Sequence, residues 1–137
     1  MSEPANTQRS EIEIRVRYAE TDAMGYLHHS RYFVYFEMGR TELLRQTGVA
    51  YREMEQRGLF YVVAKLEAKF KAPAHYDDVL MLATRVDKIT PVRVEHRYDL
   101  MRGDRLLCEA ASTLVLVGRD GRPQGLPDDL YRLLGGV

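Results

Sequence analysis

Cysteine is almost missing from this chain of 137 residues, where Cys108 stands alone. One thiol can close no internal disulfide and build no zinc cluster, so a reducing, cytoplasmic setting is expected. Cys108 sits in an alternating apolar stretch with no histidine near it in sequence, and it reads as a small core residue rather than a nucleophile. An excess of one charge is also missing. The 20 acidic and 20 basic side chains cancel, leaving no net field to draw nucleic acid or anionic lipid. No run approaches the roughly 20 apolar residues of a membrane span. Residues 1–10 lack the apolar centre of a signal peptide, and they are expected to form a mobile tail before a single domain over residues 11–137. Internal repeats, linkers and low-complexity blocks are absent. Metal-ligand spacing is absent too: His28 and His29 are adjacent rather than an i, i+4 pair, so no metal is expected.

Alternation is what the chain has in abundance. Ile12, Ile14, Val16 and Tyr18 alternate with charged residues, the period of a half-buried strand. A second run keeps Phe60, Val62, Ala64, Leu66, Ala68, Phe70 and Ala72 in one phase, with Lys65, Glu67, Lys69 and Lys71 in the other. At about 3.3 Å per residue it would reach roughly 40 Å, too long for a flat strand, so it must bend. Val79 to Thr90, Val92 to Met101 and Arg105 to Val117 follow, separated by Pro, Gly and Asp breaks. Short connections between such strands predict an antiparallel meander. Pro127 to Leu134 predicts a short terminal helix.

One substantial helix is predicted, Ser30 to about Gly48, with a second turn near Val49 to Arg57. Its first half, Tyr32 to Phe36, is apolar around the whole circumference, which belongs inside a protein. Gly39 costs about 1 kcal/mol in a helix interior, so it signals close backbone packing, and Gly48 suits the helix C-terminus. A central helix wrapped by long, curved antiparallel strands is an α+β hotdog fold. Between the first strand and this helix lies a glycine-broken loop carrying Glu20, Asp22, His28 and His29. A loop held between rigid elements is a favoured place for reactive groups, and the helix start offers unpaired N–H groups and a positive dipole end.

These residues resemble the 4-hydroxybenzoyl-CoA thioesterase family of hotdog acyl-CoA thioesterases, including the bacterial type found with the Tol-Pal system. The family pattern falls on Tyr18, Glu20, Asp22, Gly25, His29, Tyr32, Glu37, Arg40 and Glu42, continues through Phe70, Ala72, Pro73, Ala74, Asp77 and Asp78, and ends at Pro127 and Asp129. Glu20 stands where aspartate is usual, and His28 where tyrosine is frequent, which leaves open which imidazole faces the substrate. Met24, where small residues are common, would narrow the site. The resemblance implies hydrolysis of an acyl- or aroyl-CoA, or of an acyl carrier protein thioester, with no cofactor. It implies that Asp22 is the catalytic carboxylate, as nucleophile or general base, and that the backbone N–H near His29 polarises the carbonyl. It also implies a homodimer or homotetramer, with a dimer forming one continuous sheet; a lone small sheet would leave a long strand edge exposed.

Plainer roles compete for the same residues. An aspartate in such a loop can be only a turn residue, His29 can be a structural hydrogen-bonder, and Glu20 can merely orient the loop instead of binding substrate. Gly25 permits the tight turn. Glu37 can pair with Arg40 on one helix face, and His96 reads as a packed inward residue. Lys69 and Lys71 carry charge for solubility or meet the phosphates of coenzyme A. Two other functional classes remain: a hotdog module that binds acyl-CoA without cleaving it, and a dehydratase or isomerase acting on an acyl thioester.

Overall fold

A computed structural model of the chain describes residues 8–136. Five strands and three helices follow in the order β1 (Arg9–Arg15), α1 (His29–Gln46), α2 (Tyr51–Gln56), β2 (Phe60–Phe70), β3 (Val79–Ile89), β4 (Arg93–Arg102), β5 (Arg105–Val117) and α3 (Asp128–Leu133). The strands make one antiparallel sheet in the order β1-β3-β4-β5-β2, packed around α1 as the hotdog reading expects. β1 begins at Arg9, inside the stretch expected to be a tail; residues 1–7 of that stretch lie outside the described residues. It also ends early. Tyr18 opens a single 3₁₀ turn and is 77% exposed instead of facing inward.

The meander holds only for β3, β4 and β5. β2 does not pair with β3 but lies on the far side of β5, so residues 71–78 cross one end of the sheet. At about 4.8 Å between neighbouring strands, that crossing spans roughly 14 Å, well within reach of eight residues. The crossing segment becomes one wall of the site described below.

Three β-bulges bend the strands. Val63 pairs with Leu114 and Lys65 with Thr113, so Ala64 is an extra residue; Asp87 in β3 and Leu107 in β5 are extra in the same way. A bulge accentuates twist and reverses the facing of whatever follows. In β2 this corrects the single-phase reading. Tyr61 and Val63 share the inner face with Leu66, Ala68 and Phe70, whereas Phe60 and Val62 face outward with the register of Val117 and Val115.

α1 packs its Tyr32, Tyr35, Phe36, Leu43 and Leu44 against the concave sheet. Phe36 stacks on Tyr98, with ring centroids 4.7 Å apart. Gly39 lies directly over Thr84 and Leu82 of β3, where a Cβ atom would collide with both side chains, and the hydroxyl of Ser10 in β1 donates to its carbonyl at 3.3 Å. Gly48 has φ +91° just beyond the Thr47 cap, the left-handed ending expected of it. The helix is not covered all round, however. Val34 and Met38 are 42% and 44% exposed, and Val62, Val63 and Leu66 on the β2 edge are also open. His96 and Cys108 are buried among core residues, as expected, and burial pushes the Cys108 thiol up to about 11.

Because the contact at Gly39 leaves no room for a methyl group, Gly39→Ala is expected to destabilise the protein by about 2 kcal/mol in urea unfolding. An unchanged or raised midpoint would mean that α1 can lift from the sheet at little cost.

Candidate active site

After β1 the chain turns back on itself. Thr21 bridges Leu27, the Asp22 N–H donates to the Tyr26 carbonyl at 2.8 Å, and the Gly25 N–H donates to the Asp22 carbonyl at 2.9 Å. Gly25 has φ +79°, which an L side chain rarely adopts. The Asp22 side chain completes the turn: Oδ1 accepts from Met24 N–H at 2.9 Å and from Tyr26 N–H at 3.1 Å. Those two bonds fix the carboxylate and leave Oδ2 without a hydrogen-bond partner among the described residues.

Two supports hold this ribbon. Leu27 N–H donates to the Ala74 carbonyl at 2.8 Å, and Tyr26 bridges His75, which ties the loop to the crossing segment. That segment is pinned in turn by Asp78, whose Oδ2 accepts from His75 N–H and from the Arg102 guanidinium, both at 2.8 Å. Burial pushes the Asp78 carboxyl up, but those donors outweigh it and hold it below its ordinary value. The second support is Glu20. Its side chain is buried and accepts from Arg17 N–H at 2.8 Å, from the Tyr35 hydroxyl at 2.7 Å and from the Arg17 guanidinium at 3.2 Å. Burial pushes its pKa up, and the Arg17 and Tyr35 hydrogen bonds together bring it below the usual carboxylate range. Its backbone carbonyl receives the His28 N–H at 2.9 Å.

α1 then starts. His28 is its N-cap, with Nδ1 accepting from Ser30 N–H at 3.2 Å. His28 and His29 stack with centroids 4.2 Å apart. The structural bond at the helix start is therefore made by His28 and not by His29. The Arg31 N–H bonds the His28 carbonyl, whereas the His29 N–H has no acceptor among the described residues.

Asp22, His29, Tyr32 and Lys71 line one open cleft of about 330 Å³, together with Tyr26 and Phe70. Its floor is Tyr32, buried and edge-on to Phe70 at 4.9 Å between centroids. Burial raises the Tyr32 phenol above its ordinary pKa, with a smaller opposing effect from the Ala74 backbone. The other sequence-stated candidates fall elsewhere. Glu20 lies beneath the loop, Gly25 shapes the turn, and Lys69 lines a separate surface depression with Glu67, Arg85 and Arg97. Glu37 makes no ion pair with Arg40, which turns inward to the Tyr98 hydroxyl at 3.4 Å. Tyr26 was missed as a lining residue, because nothing in the strand period reveals that the loop docks on residues 73–75.

The profile of the thioesterase-like superfamily matches residues 16–134, spanning this loop, helix and sheet. The chain belongs to that superfamily. Among its relatives, a putative acyl-CoA thioesterase, YneP, of Bacillus subtilis is 32% identical over 112 residues, covering 81% of each chain. The acyl-CoA thioesterase YbgC of Haemophilus influenzae is 33% identical over 105 residues, covering 76% of this chain and 77% of the relative. The crystal structure of a probable thioesterase from Bartonella henselae superposes with a TM-score of 0.82 at 32% identity, covering 87% of this chain and 99% of the other. Membership makes the chain a thioester hydrolase, and no helix among its described residues is long and apolar enough to cross a membrane.

Because the Glu20 pKa is depressed on folding, its stabilisation is present above the unfolded value near 4.5 and is lost as pH falls through the lower folded value. Glu20→Gln is accordingly expected to cost about 2 kcal/mol at pH 7, with the deficit shrinking below pH 4. Urea unfolding at both pH values checks this, and a deficit independent of pH would assign the loss to packing instead of charge.

Proposed function

We propose that this thioesterase hydrolyses an acyl- or aroyl-CoA in the Asp22 cleft. The observation that carries the reading is the pairing of a fixed carboxylate with an unclaimed N–H at the start of α1. The thioester carbonyl oxygen accepts from His29 N–H, aided by the positive end of the helix dipole. Asp22 Oδ2 either attacks the carbonyl carbon or takes a proton from the water that does. In both routes negative charge builds on the carbonyl oxygen, and a preorganised donor there is worth about 3 kcal/mol. The C–S bond then breaks and the coenzyme A thiolate leaves; after direct attack, water hydrolyses the mixed anhydride left on Asp22, whereas after base catalysis the free acid forms at once and the proton held by Asp22 passes to the thiolate. Tyr32 and Phe70 supply an apolar floor for the acyl group, and Lys71, 3.8 Å from Glu109, stands at the rim where a phosphate could replace that weak pairing.

The same reading includes a homodimer. β2 is a long edge strand with unpaired backbone groups, and it carries exposed Val62, Val63 and Leu66, while Val34 and Met38 of α1 are also uncovered. Such an edge is a template for pairing with another strand. Pairing two copies would join their sheets and cover both helices.

Asp22→Asn keeps the Oδ1 acceptor for Met24 and Tyr26, so the loop is expected to hold while kcat on acyl-CoA falls at least 100-fold. Thiol release measured across short, long and aromatic acyl-CoAs, beside thermal melting, tests this; near-wild-type turnover would reject the assignment. Acyl-CoA binding by the wild type without thiol release would favour the binding-module reading. Leu66→Lys is expected to shift the protein toward monomer in sedimentation equilibrium, and an unchanged assembly would exclude the β2 edge as the contact.

A further inference from the structure

A second cavity lies toward the other end of α1, where no part of the Asp22 loop reaches. Arg40 is 11 residues beyond His29, roughly 16 Å along the helix at about 1.5 Å per residue. Its side chain points into the core with only 9% of its surface exposed, and it has no carboxylate within ion-pair distance among the described residues. Its partners among the described residues are neutral hydroxyls: Tyr51, and Tyr98 at a long 3.4 Å, whose oxygen is already engaged with Ser112 Oγ at 2.6 Å. A buried guanidinium without a counter-charge is costly, because neither water nor a carboxylate replaces its lost hydration.

The surroundings offer neutral polar groups but no carboxylate. Gln8, Arg40, Thr47, Tyr51, Tyr61 and His96 face a cavity of about 30 Å³, whose remaining walls are aliphatic, Leu43 and Val86 among them. The Tyr61 hydroxyl and His96 Nδ1 are both buried without a hydrogen-bond partner, and His96 is 6% exposed. Burial, and to a smaller degree the Arg40 charge, push His96 down to about 3, so it is neutral and Arg40 is the cavity's one formal charge. Burial likewise pushes the Tyr51 phenol up to about 12. A water needs about 10 to 15 Å³ and several polar partners, so the space admits two waters or one compact ion. Electroneutrality decides between them. Arginine donates five N–H groups and accepts none, and an anion satisfies it together with the Tyr61 O–H.

We infer that this cavity binds a small monovalent anion, a halide or a formate-sized carboxylate, held between the Arg40 guanidinium and the Tyr61 hydroxyl. Either fits a space of about 30 Å³, which has no room for a hydrocarbon tail. Either occupant offsets the Arg40 charge and braces the second half of α1 against β2 and β4.

Crystals of the full chain soaked in sodium bromide, measured at the bromine absorption edge, are expected to show an anomalous peak in contact with Arg40 and Tyr61. In solution at constant ionic strength, replacing gluconate with bromide is expected to raise the melting temperature saturably. Tyr61→Phe keeps the ring but removes one donor, and it is expected to weaken the apparent bromide affinity about ten-fold. Formate that displaces the bromide peak identifies the carboxylate source, while bromide that resists it identifies the halide; both outcomes support the site. Density for water alone, or a melting shift of equal size in Tyr61→Phe, would overturn it.

Discussion

The seating of α1 against the curved sheet is the constraint on which the remaining features depend. Gly39 over Thr84 and Leu82 sets the helix at a distance that no side chain permits, and Phe36 stacked on Tyr98 locks its rotation. With depth and rotation fixed, the first turn is fixed as well. That turn delivers an unclaimed N–H at His29 to the mouth of a cleft, and preorganised donors of this kind are what acyl transfer needs. The same seating turns Arg40 inward and leaves Val34 and Met38 outward.

Around the helix start, two carboxylates serve as supports and a third faces the cleft. Glu20 and Asp78 are both carboxylates held below their ordinary pKa values by donors that outweigh burial. Glu20 anchors the loop to Tyr35 and Arg17, and Asp78 anchors the opposite wall to Arg102. Asp22 differs in its place: its Oδ1 accepts only from the Met24 and Tyr26 N–H groups of its own turn, and the side chain lines the open cleft beside Tyr32 and Lys71.

Much of this was legible in the sequence. Gly39 and Gly48 announced a close approach and a helix end, and alternation located every strand to within a few residues of its bounds. The loop motif holds Asp22, His29 and Tyr32, which line one cleft. What failed did so for physical reasons. A period of two cannot register an extra residue, so the bulge at Ala64 inverted the facing expected for Phe60 and Val62. Short connections suggested a meander throughout, but a sheet curled around a helix lets eight residues jump from β2 to β3. Glu20 looked like a site residue because it neighbours Asp22 in sequence; only the Tyr35 hydroxyl, 15 residues away, reveals that it faces the other way. Arg40, placed with Glu37 by helical spacing, found Tyr98 across the core instead.

The central claim is geometric: a carbonyl held by the His29 N–H with Asp22 Oδ2 facing its carbon. A co-crystal structure with an acyl-CoA analogue, in which a methylene group replaces the thioester sulfur, tests it most directly. The account predicts the ketone oxygen within hydrogen-bonding distance of the His29 N–H and the carbonyl carbon facing Asp22 Oδ2. An analogue seated with its carbonyl turned away from both groups would contradict it.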